Sequence, residues 1–142
     1  MSNKSSGTAF EREIAELLHE HGMWVHMIAQ TQEGQPADLI AVKNTIAWLI
    51  DCKVCDSGYF TTARVEDNQF YSMDCWYASG NLSPIFILKY SEGIFVLPYV
   101  QLFENGKLLK PSVKIKPTGD MWYLLTPIEE WLRMNTNGIK DW

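Results

Sequence analysis

The chain has 142 residues, of which 46% are hydrophobic and 20% are charged, so it can bury one sizeable core and is not composed like a disordered chain. No apolar run approaches the roughly 20 residues of a membrane span, and the start lacks the apolar core of a signal peptide; a soluble cytoplasmic protein is expected. The net charge of −5 argues against a uniformly basic surface, so a nucleic-acid partner would have to be held by local clusters such as Lys107, Lys110, Lys114 and Lys116.

The first predicted element is a helix over 8–21. Thr8 and Glu11 are spaced as a capping box, in which the Thr side chain caps the helix and the Glu side chain reaches back. Apolar residues then recur at helical spacing as far as Gly22, a residue typical of helix ends.

Three strands are predicted next, with a polar turn over 30–35 after the first of them. They run over 24–29, 38–42 and 46–54. A tight turn at Lys43-Asn44 joins the last two strands, which are therefore antiparallel. The third strand alternates with a period of two, so Asp51 and Lys53 share one of its sides.

The second half of the chain predicts further helices and one hairpin. The elements are a helix from Thr61 or Thr62 to about Tyr77, strands over 83–90 and 94–97, a short helix after Pro98 and a last helix capped by Thr126. The inner face of the first of these helices would hold Val65, Met73 and Trp76. The last helix has Pro127 at its first position and carries Trp131 and Leu132. This order predicts one domain over 1–142 with an α/β fold, a central mixed β-sheet flanked by helices.

The three cysteines, at positions 52, 55 and 75, are too few for a disulfide framework. Cys52 and Cys55 form a CxxC pair, which is the spacing of half a zinc site. The other ligands would have to include a histidine, and the candidates are His19, His21 and His26. The alternative is that Cys52 packs on the buried side of its strand.

The sharpest chemical constellation is Pro36-Ala37-Asp38, followed thirteen residues after Asp38 by Asp51-Cys52-Lys53. Because the two strands are antiparallel, the start of one lies beside the end of the other, and the two carboxylates converge at one edge. Close carboxylates repel unless a positive charge lies between them, and hard oxygen ligands suit Mg²⁺ or Mn²⁺. A bound metal lowers the pKa of water, and an adjacent Lys orients that water or stabilises charge on a phosphate. The set is typical of a metal-dependent phosphodiesterase.

A plainer interpretation of the same residues is an exposed Asp51 in a surface ion pair with Lys53. Against it, the two charges interrupt an otherwise apolar run, and burying a charge without a partner is costly. The Pro-Ala-Asp at the matching place on the paired strand also favours the functional interpretation.

These residues resemble the PD-(D/E)XK nuclease superfamily, and within it the Holliday-junction resolvases. Members carry an acid on the first helix, an Asp after a turn, an acid-x-Lys at the end of the following strand, and a helix with a Gln. The matching positions are Glu11, Asp38, Asp51, Lys53 and Gln69. The resemblance implies a restriction-endonuclease-like fold and a metal-dependent, structure-selective DNA endonuclease that resolves four-way junctions.

The segment over 60–69 looks particularly like the RecU branch, which is found in Gram-positive bacteria and their phages. RecU proteins insert a long stalk between the first strands, and the interval over 30–35 is too short to hold one. The Pro-Ala-Asp looks more like the archaeal resolvases. A compact, phage-encoded variant acting in the cytoplasm of a bacterial or phage-infected cell is therefore expected.

The resemblance also implies roles for single residues. Mg²⁺, with Mn²⁺ able to substitute, would be held by Asp38, Asp51, the Cys52 carbonyl and Glu11. Lys53 would position the water, and Gln69 would orient Lys53 or a phosphate. The alternatives are that Glu11 is only a capping residue and Gln69 only a solvated helix residue. Arg64 and Lys4 are weaker candidates for phosphate contacts.

Cutting a four-way junction symmetrically requires two active sites, so a homodimer is predicted and no membrane partner is expected. Six tryptophans are candidates for the dimer interface or for the core: Trp24, Trp48, Trp76, Trp122, Trp131 and Trp142. Three other functions stay open: a nuclease of the same fold for flaps, single strands or duplex DNA, a catalytically inactive DNA-binding module, and a regulatory protein with a zinc-binding CxxC.

Overall fold

The computed structural model describes residues 3–29, 34–104, 107–108, 113–117 and 125–136. Its helices are α1 (Asn3–Glu20), α2 (Asp67–Ala78) and α3 (Ile128–Thr136), and short 3-10 helices cover Thr62–Arg64 and Tyr99–Leu102. Its longer strands are β1 (Trp24–Met27), β2 (Leu39–Lys43), β3 (Ile46–Val54), β4 (Ile85–Tyr90) and β5 (Gly93–Pro98). Three two-residue strands follow: β6 (Phe103–Glu104), β7 (Lys107–Leu108) and β8 (Thr126–Pro127).

Six of the strands form one mixed sheet in the order β1-β2-β3-β4-β5-β8. Every neighbouring pair is antiparallel except β3 and β4, which run parallel because the chain crosses over through α2 between them. Strands β6 and β7 pair separately. The predicted α/β architecture, a mixed sheet flanked by helices, is confirmed.

The sheet buries a hydrophobic cluster on each of its faces. One cluster contains residues of α1 and α3 together with Trp48, Ile50 and Cys52 of β3. The other contains Leu49 of β3 with Met73 of α2 and residues of β4 and β5. The alternation predicted for β3 is therefore confirmed, as are its bounds, and this strand positions the site described below.

The first helix begins five residues earlier than the sequence predicted. Because α1 starts at Asn3, Thr8 lies inside the helix, and the capping box of Thr8 and Glu11 is wrong. The predicted end is confirmed. Gly22 adopts a φ of 82°, and the Met23 N–H donates to the Leu18 carbonyl at 3.1 Å, which closes the helix.

The single helix predicted from Thr61 or Thr62 is also wrong. The 3-10 helix over Thr62–Arg64 ends at Val65, whose backbone is extended, and Thr61 makes no side-chain cap. The chain restarts as α2 with Glu66 as its N-cap, in a capping box with Gln69. Burial of Val65 and Met73, with Trp76 packed against the same cluster, agrees with the predicted inner face.

The remaining boundaries differ by one or two residues. The turn between β2 and β3 is centred on Asn44 and Thr45, both with positive φ, rather than on Lys43-Asn44. Strand β1 ends at Met27, and β4 begins at Ile85. The short helix after Pro98 is present as a 3-10 helix.

The last helix starts later than its predicted cap. Thr126 and Pro127 pair with β5 as β8, so α3 begins at Ile128 and the predicted cap at Thr126 is wrong. Trp131 and Leu132 are buried on α3 as predicted. In the described part of the chain, no helix has both the length and the apolar character to cross a membrane.

Candidate active site

The antiparallel pairing of β2 and β3 brings two acids together, one just before β2 and one within β3. Asp38 lies immediately before β2, and its N–H donates to the Ile50 carbonyl at 3.0 Å, which continues the β2–β3 ladder by one residue. Its Oδ2 accepts a hydrogen bond of 2.7 Å from the Cys52 N–H. Asp51 is the residue between those two contacts, close enough for the charge of Asp38 to raise the pKa of its carboxyl. The predicted convergence of Asp38 and Asp51 is present.

Both acids are withdrawn from solvent. Asp51 is 0% exposed and Asp38 is 5% exposed. Burial, and next the charge of Asp38, raise the pKa of Asp51 well above its ordinary value. An exposed surface ion pair, the plainer interpretation of Asp51 and Lys53, is therefore excluded.

Lys53 supplies the positive charge at this site. Its Nζ lies 3.3 Å from Asp51 Oδ2, and the side chain is mostly buried. The contact is an ion pair, and Asp51 Oδ2 is a buried oxygen for which no hydrogen-bond partner is found among the described residues. One ammonium thus faces an acid oxygen that is otherwise unsatisfied.

Gln69, in the first turn of α2, connects these charges to the helix. Its Nε2 donates to Asp51 Oδ1 at 3.1 Å, and its Oε1 lies 3.4 Å from Lys53 Nζ. The same Oε1 accepts from the Glu66 N–H at 3.2 Å as half of the capping box. Gln69 is buried, so the solvated-glutamine alternative is wrong.

Glu11 reaches the site from α1. Its side chain is partly buried and lies within the electrostatic influence of Asp38 and Lys53. Burial, and next the charge of Asp38, raise the pKa of Glu11 from 4.5 to about 7, although Lys53 acts in the opposite direction. Since α1 begins at Asn3, Glu11 is not a capping residue, and its described contacts are with this site.

Gln35 belongs to the same cluster, although its sequence context predicts only a polar turn. It is 7% exposed, and its Nε2 donates to Asp38 Oδ1. Its backbone carbonyl accepts from Asn68 Nδ2 at 3.0 Å. A glutamine in a polar turn gives no sequence signal of burial, which is why only the fold reveals this contact.

The CxxC pair does not form a zinc site. Cys52 packs in the cluster on the α1 side of the sheet, whereas Cys55 packs in the cluster on the α2 side. In the described ranges, no three His, Cys, Asp or Glu side chains are grouped so that they could hold a metal ion as they stand. The zinc alternative is thereby removed, and the packing alternative for Cys52 is confirmed.

The acids nevertheless fit a divalent cation by their chemistry. The charge of Asp38 raises the pKa of both Glu11 and Asp51, and a cation between such carboxylates relieves their repulsion. The unsatisfied Asp51 Oδ2 is the kind of hard, buried oxygen that Mg²⁺ and Mn²⁺ prefer. Binding would require small side-chain movements, because both oxygens of Asp38 already accept hydrogen bonds.

The basic residues considered for phosphate contacts differ in the groups that they contact. Arg64 donates to the Val54 carbonyl at 2.7 Å and to Cys55 Sγ at 3.8 Å, so it holds the end of β3. Lys114 lies with its Nζ 4.7 Å from the centroid of the Tyr59 ring. Several residues named from the sequence fall outside the described side chains: Lys4, Lys107, Lys110, Trp122 and Trp142.

A family model and several solved structures match this chain. The family model described as archaeal Holliday junction resolvase (Hjc) matches residues 2–119. The solved structure of Hjc, a Holliday junction resolvase from the archaeal hyperthermophile Archaeoglobus fulgidus, is 19% identical, with a TM-score of 0.64 over 89% of this chain and 95% of that one. No curated protein matches the chain.

Proposed function

The chain belongs to the archaeal Holliday junction resolvase family, whose model spans most of its length, and we propose that it resolves junctions by paired phosphodiester hydrolysis at the site around Asp38. It is a structure-selective endodeoxyribonuclease that acts on four-way junctions. The site assignment rests on the burial of Asp51 near Asp38, with Lys53 Nζ 3.3 Å from Asp51 Oδ2.

The cation is proposed to be Mg²⁺, with Mn²⁺ as a substitute. It would be held by Asp38, Asp51, Glu11 and the Cys52 carbonyl; the charge of Asp38 already acts on both of the other acids. Bound there, it supplies a nucleophilic water of lowered pKa and neutralises charge on the phosphate.

The protein's own groups have distinct parts in this proposal. Lys53 orients the attacking water and stabilises the charge that develops on the phosphate, since its ammonium is held beside Asp51 in a mostly buried position. Gln69 keeps Lys53 and Asp51 in register, because one amide contacts both. Asp38 is positioned by the Cys52 N–H and Gln35.

Lys114 and Lys116 are proposed as phosphate contacts. Both are exposed and flank Ile115, which is buried and pairs with Phe60 through reciprocal backbone hydrogen bonds of 2.9 and 2.8 Å. The Phe60 segment comes after β3, the strand that carries Lys53. This pairing supports the assignment of the two lysines as phosphate contacts near the site.

A homodimer is proposed because a junction has two-fold symmetry and two strands to cut. The tryptophans are not equivalent candidates for its interface. Trp48 and Trp131 pack edge to face in the core, with ring centroids 5.4 Å apart, whereas Trp24 is 61% exposed. Light scattering of the purified chain with and without junction DNA measures the assembly.

The subgroup and origin are also proposals. The segment over 60–69 with its Gln69 supports a RecU-like character, and the short interval before Asp38 supports a compact, phage-encoded form in the bacterial cytoplasm. Purification of the protein from infected and uninfected cells would separate a phage from a host source.

The test of the function is cleavage of a mobile four-way junction beside linear duplex, flap and single-stranded DNA, each with Mg²⁺, Mn²⁺, Ca²⁺ or EDTA. We expect symmetric nicks in the junction with Mg²⁺ or Mn²⁺ and none with EDTA. Cutting of flaps or linear duplex alone would assign another nuclease activity. Tight junction binding without cleavage in any metal would identify an inactive binding module.

A further inference from the structure

A partly buried chain of hydrogen bonds joins helix α2 to the acid before β2. Asn68 Nδ2 donates to the Gln35 carbonyl at 3.0 Å, and the Gln35 side-chain amide donates to Asp38 Oδ1. Gln69, the next residue of α2, holds Asp51 on the other side. Neighbouring residues of one helical turn are thus connected to both acids.

Gln35 also carries an unsatisfied oxygen at this site. In the part of the chain that the structure describes, three buried side-chain atoms have no hydrogen-bond partner, and two of them are Gln35 Oε1 and Asp51 Oδ2. Gln35 is hydrogen-bonded to Asp38, and Asp51 lies close enough for the charge of Asp38 to raise its pKa. Burying an acceptor without a donor costs free energy, and a hydrated divalent cation supplies such donors through its water molecules.

We propose that Gln35, supported by Asn68, is a positioning residue of the cation site, which fixes Asp38 through its N–H and accepts a hydrogen bond from cation-bound water through its Oε1. This inference rests on the proposed function, because it takes Asp38 as a ligand. Hydrogen-bonding partners behind metal ligands set the orientation of those ligands, and their removal weakens metal binding.

The test is titration of the whole, DNA-free protein with Mn²⁺ in a calorimeter. Gln35→Met keeps the size of the side chain and removes both polar atoms. We expect its Kd for Mn²⁺ to rise roughly 10- to 100-fold, and cleavage at saturating Mn²⁺ to recover most of the wild-type kcat. Asn68→Ala should raise Kd in the same direction by a smaller factor, since it acts through the Gln35 backbone.

Asn81→Ala is the matched control for Asn68→Ala. Asn81 Nδ2 also donates to a backbone carbonyl at 3.0 Å, that of Trp76, but lies beyond the other end of α2. Its Mn²⁺ affinity should equal that of the wild type. Equal losses of affinity in the Asn68 and Asn81 variants would mean that any weakening of α2 lowers affinity, and would overturn the proposal.

Asp38→Asn separates this inference from the function on which it rests. If Asp38→Asn abolishes Mn²⁺ binding while folded Gln35→Met binds as tightly as the wild type, the inference fails and the site assignment stands. If Asp38→Asn binds Mn²⁺ normally, the site assignment fails. Circular dichroism checks folding; if Gln35→Met is unfolded, an Asn68→Ala variant with wild-type affinity overturns the inference.

Discussion

The Cys52 N–H donates a 2.7 Å hydrogen bond to Asp38 Oδ2, so the acid before β2 is bound to the backbone of the strand that carries the other acid and the lysine. Because that strand has a neighbour on each side in the sheet, this bond ties the acid pair to the interior of the sheet. The loop before Asp38 and the first turn of α2 then complete the site from outside the sheet.

Removing the charge of Asp51 or of Lys53 should stop cleavage of the junction and leave DNA binding intact. Asp51→Asn and Lys53→Ala are expected to lower single-turnover cleavage of a four-way junction by about 10²–10³-fold or more, because each removes electrostatic stabilisation from a water-excluded site. Gel-shift affinity for the junction should stay within a few-fold. Lys89→Ala on β4, an exposed lysine paired with Glu13, is the charge-matched control. Undiminished cleavage by Lys53→Ala would refute its assigned role.

Gln69 both caps α2 and contacts the charged residues of the site. A comparison with a variant of Glu66, its partner in the capping box, separates these two roles. Gln69→Ala and Glu66→Ala both break the capping box of α2, so each should lower the free energy of unfolding by about 0.5–2 kcal/mol. Only Gln69→Ala also removes the contacts to Asp51 and Lys53, and it alone should lower kcat, by about tenfold or more. Urea unfolding and cleavage rates measure the two effects; equal loss of activity in both variants would contradict the site role.

Without metal, stability should fall as pH rises through the titration of the acids. The pKa of Glu11 is raised from 4.5 to about 7, so the fold favours its protonated form. That contribution is complete below about pH 4.5 and is lost as pH rises through 7. In EDTA the Tm of the wild type should therefore drop over this range relative to Glu11→Gln, and saturating Mg²⁺ should reverse the drop. Glu16→Gln, an exposed acid of α1, should behave as the wild type; if Glu11→Gln tracks the wild type instead, Glu11 is not at the site.

Lys114 and Lys116 should contribute to DNA affinity through the release of counterions from the phosphates that they contact. Lys114→Ala and Lys116→Ala should each reduce the slope of log K against log salt by about 0.9, if each contacts one phosphate. Arg133→Ala changes the net charge equally but lies on α3, which packs against the other face of the sheet. Binding isotherms at four salt concentrations measure the slopes, and equal slopes in all three variants would contradict a local contact.

The sequence predicted most of the site because the strand pattern carries it. β3 interrupts an alternating apolar strand with Asp51 and Lys53, and its bounds were predicted correctly. The antiparallel turn then required Asp38 to lie beside Asp51, a consequence of strand geometry alone. Gln69 and Glu11 came from the family resemblance, and the structure places both against these residues.

What the sequence did not predict depends on tertiary contacts. The capping box of Glu66 and Gln69 does not stand out in the sequence, because Thr61 and Thr62 offer an earlier and equally plausible cap. The start of α1 lies among polar residues, which have no helical periodicity to mark it. Gln35 looks like any residue of a polar turn, and only its burial between Asp38 and Asn68 distinguishes it.

The unequal burial of the three cysteines makes the chain suitable for labelling at a single position. Cys52 and Cys55 are buried, and burial raises the pKa of both thiols, that of Cys55 to about 11, so neither forms the thiolate that reacts with a maleimide near neutral pH. Cys75 is exposed on α2. A fluorophore attached there would sit on the helix whose first turn holds the acids, and would follow DNA engagement without any engineered cysteine.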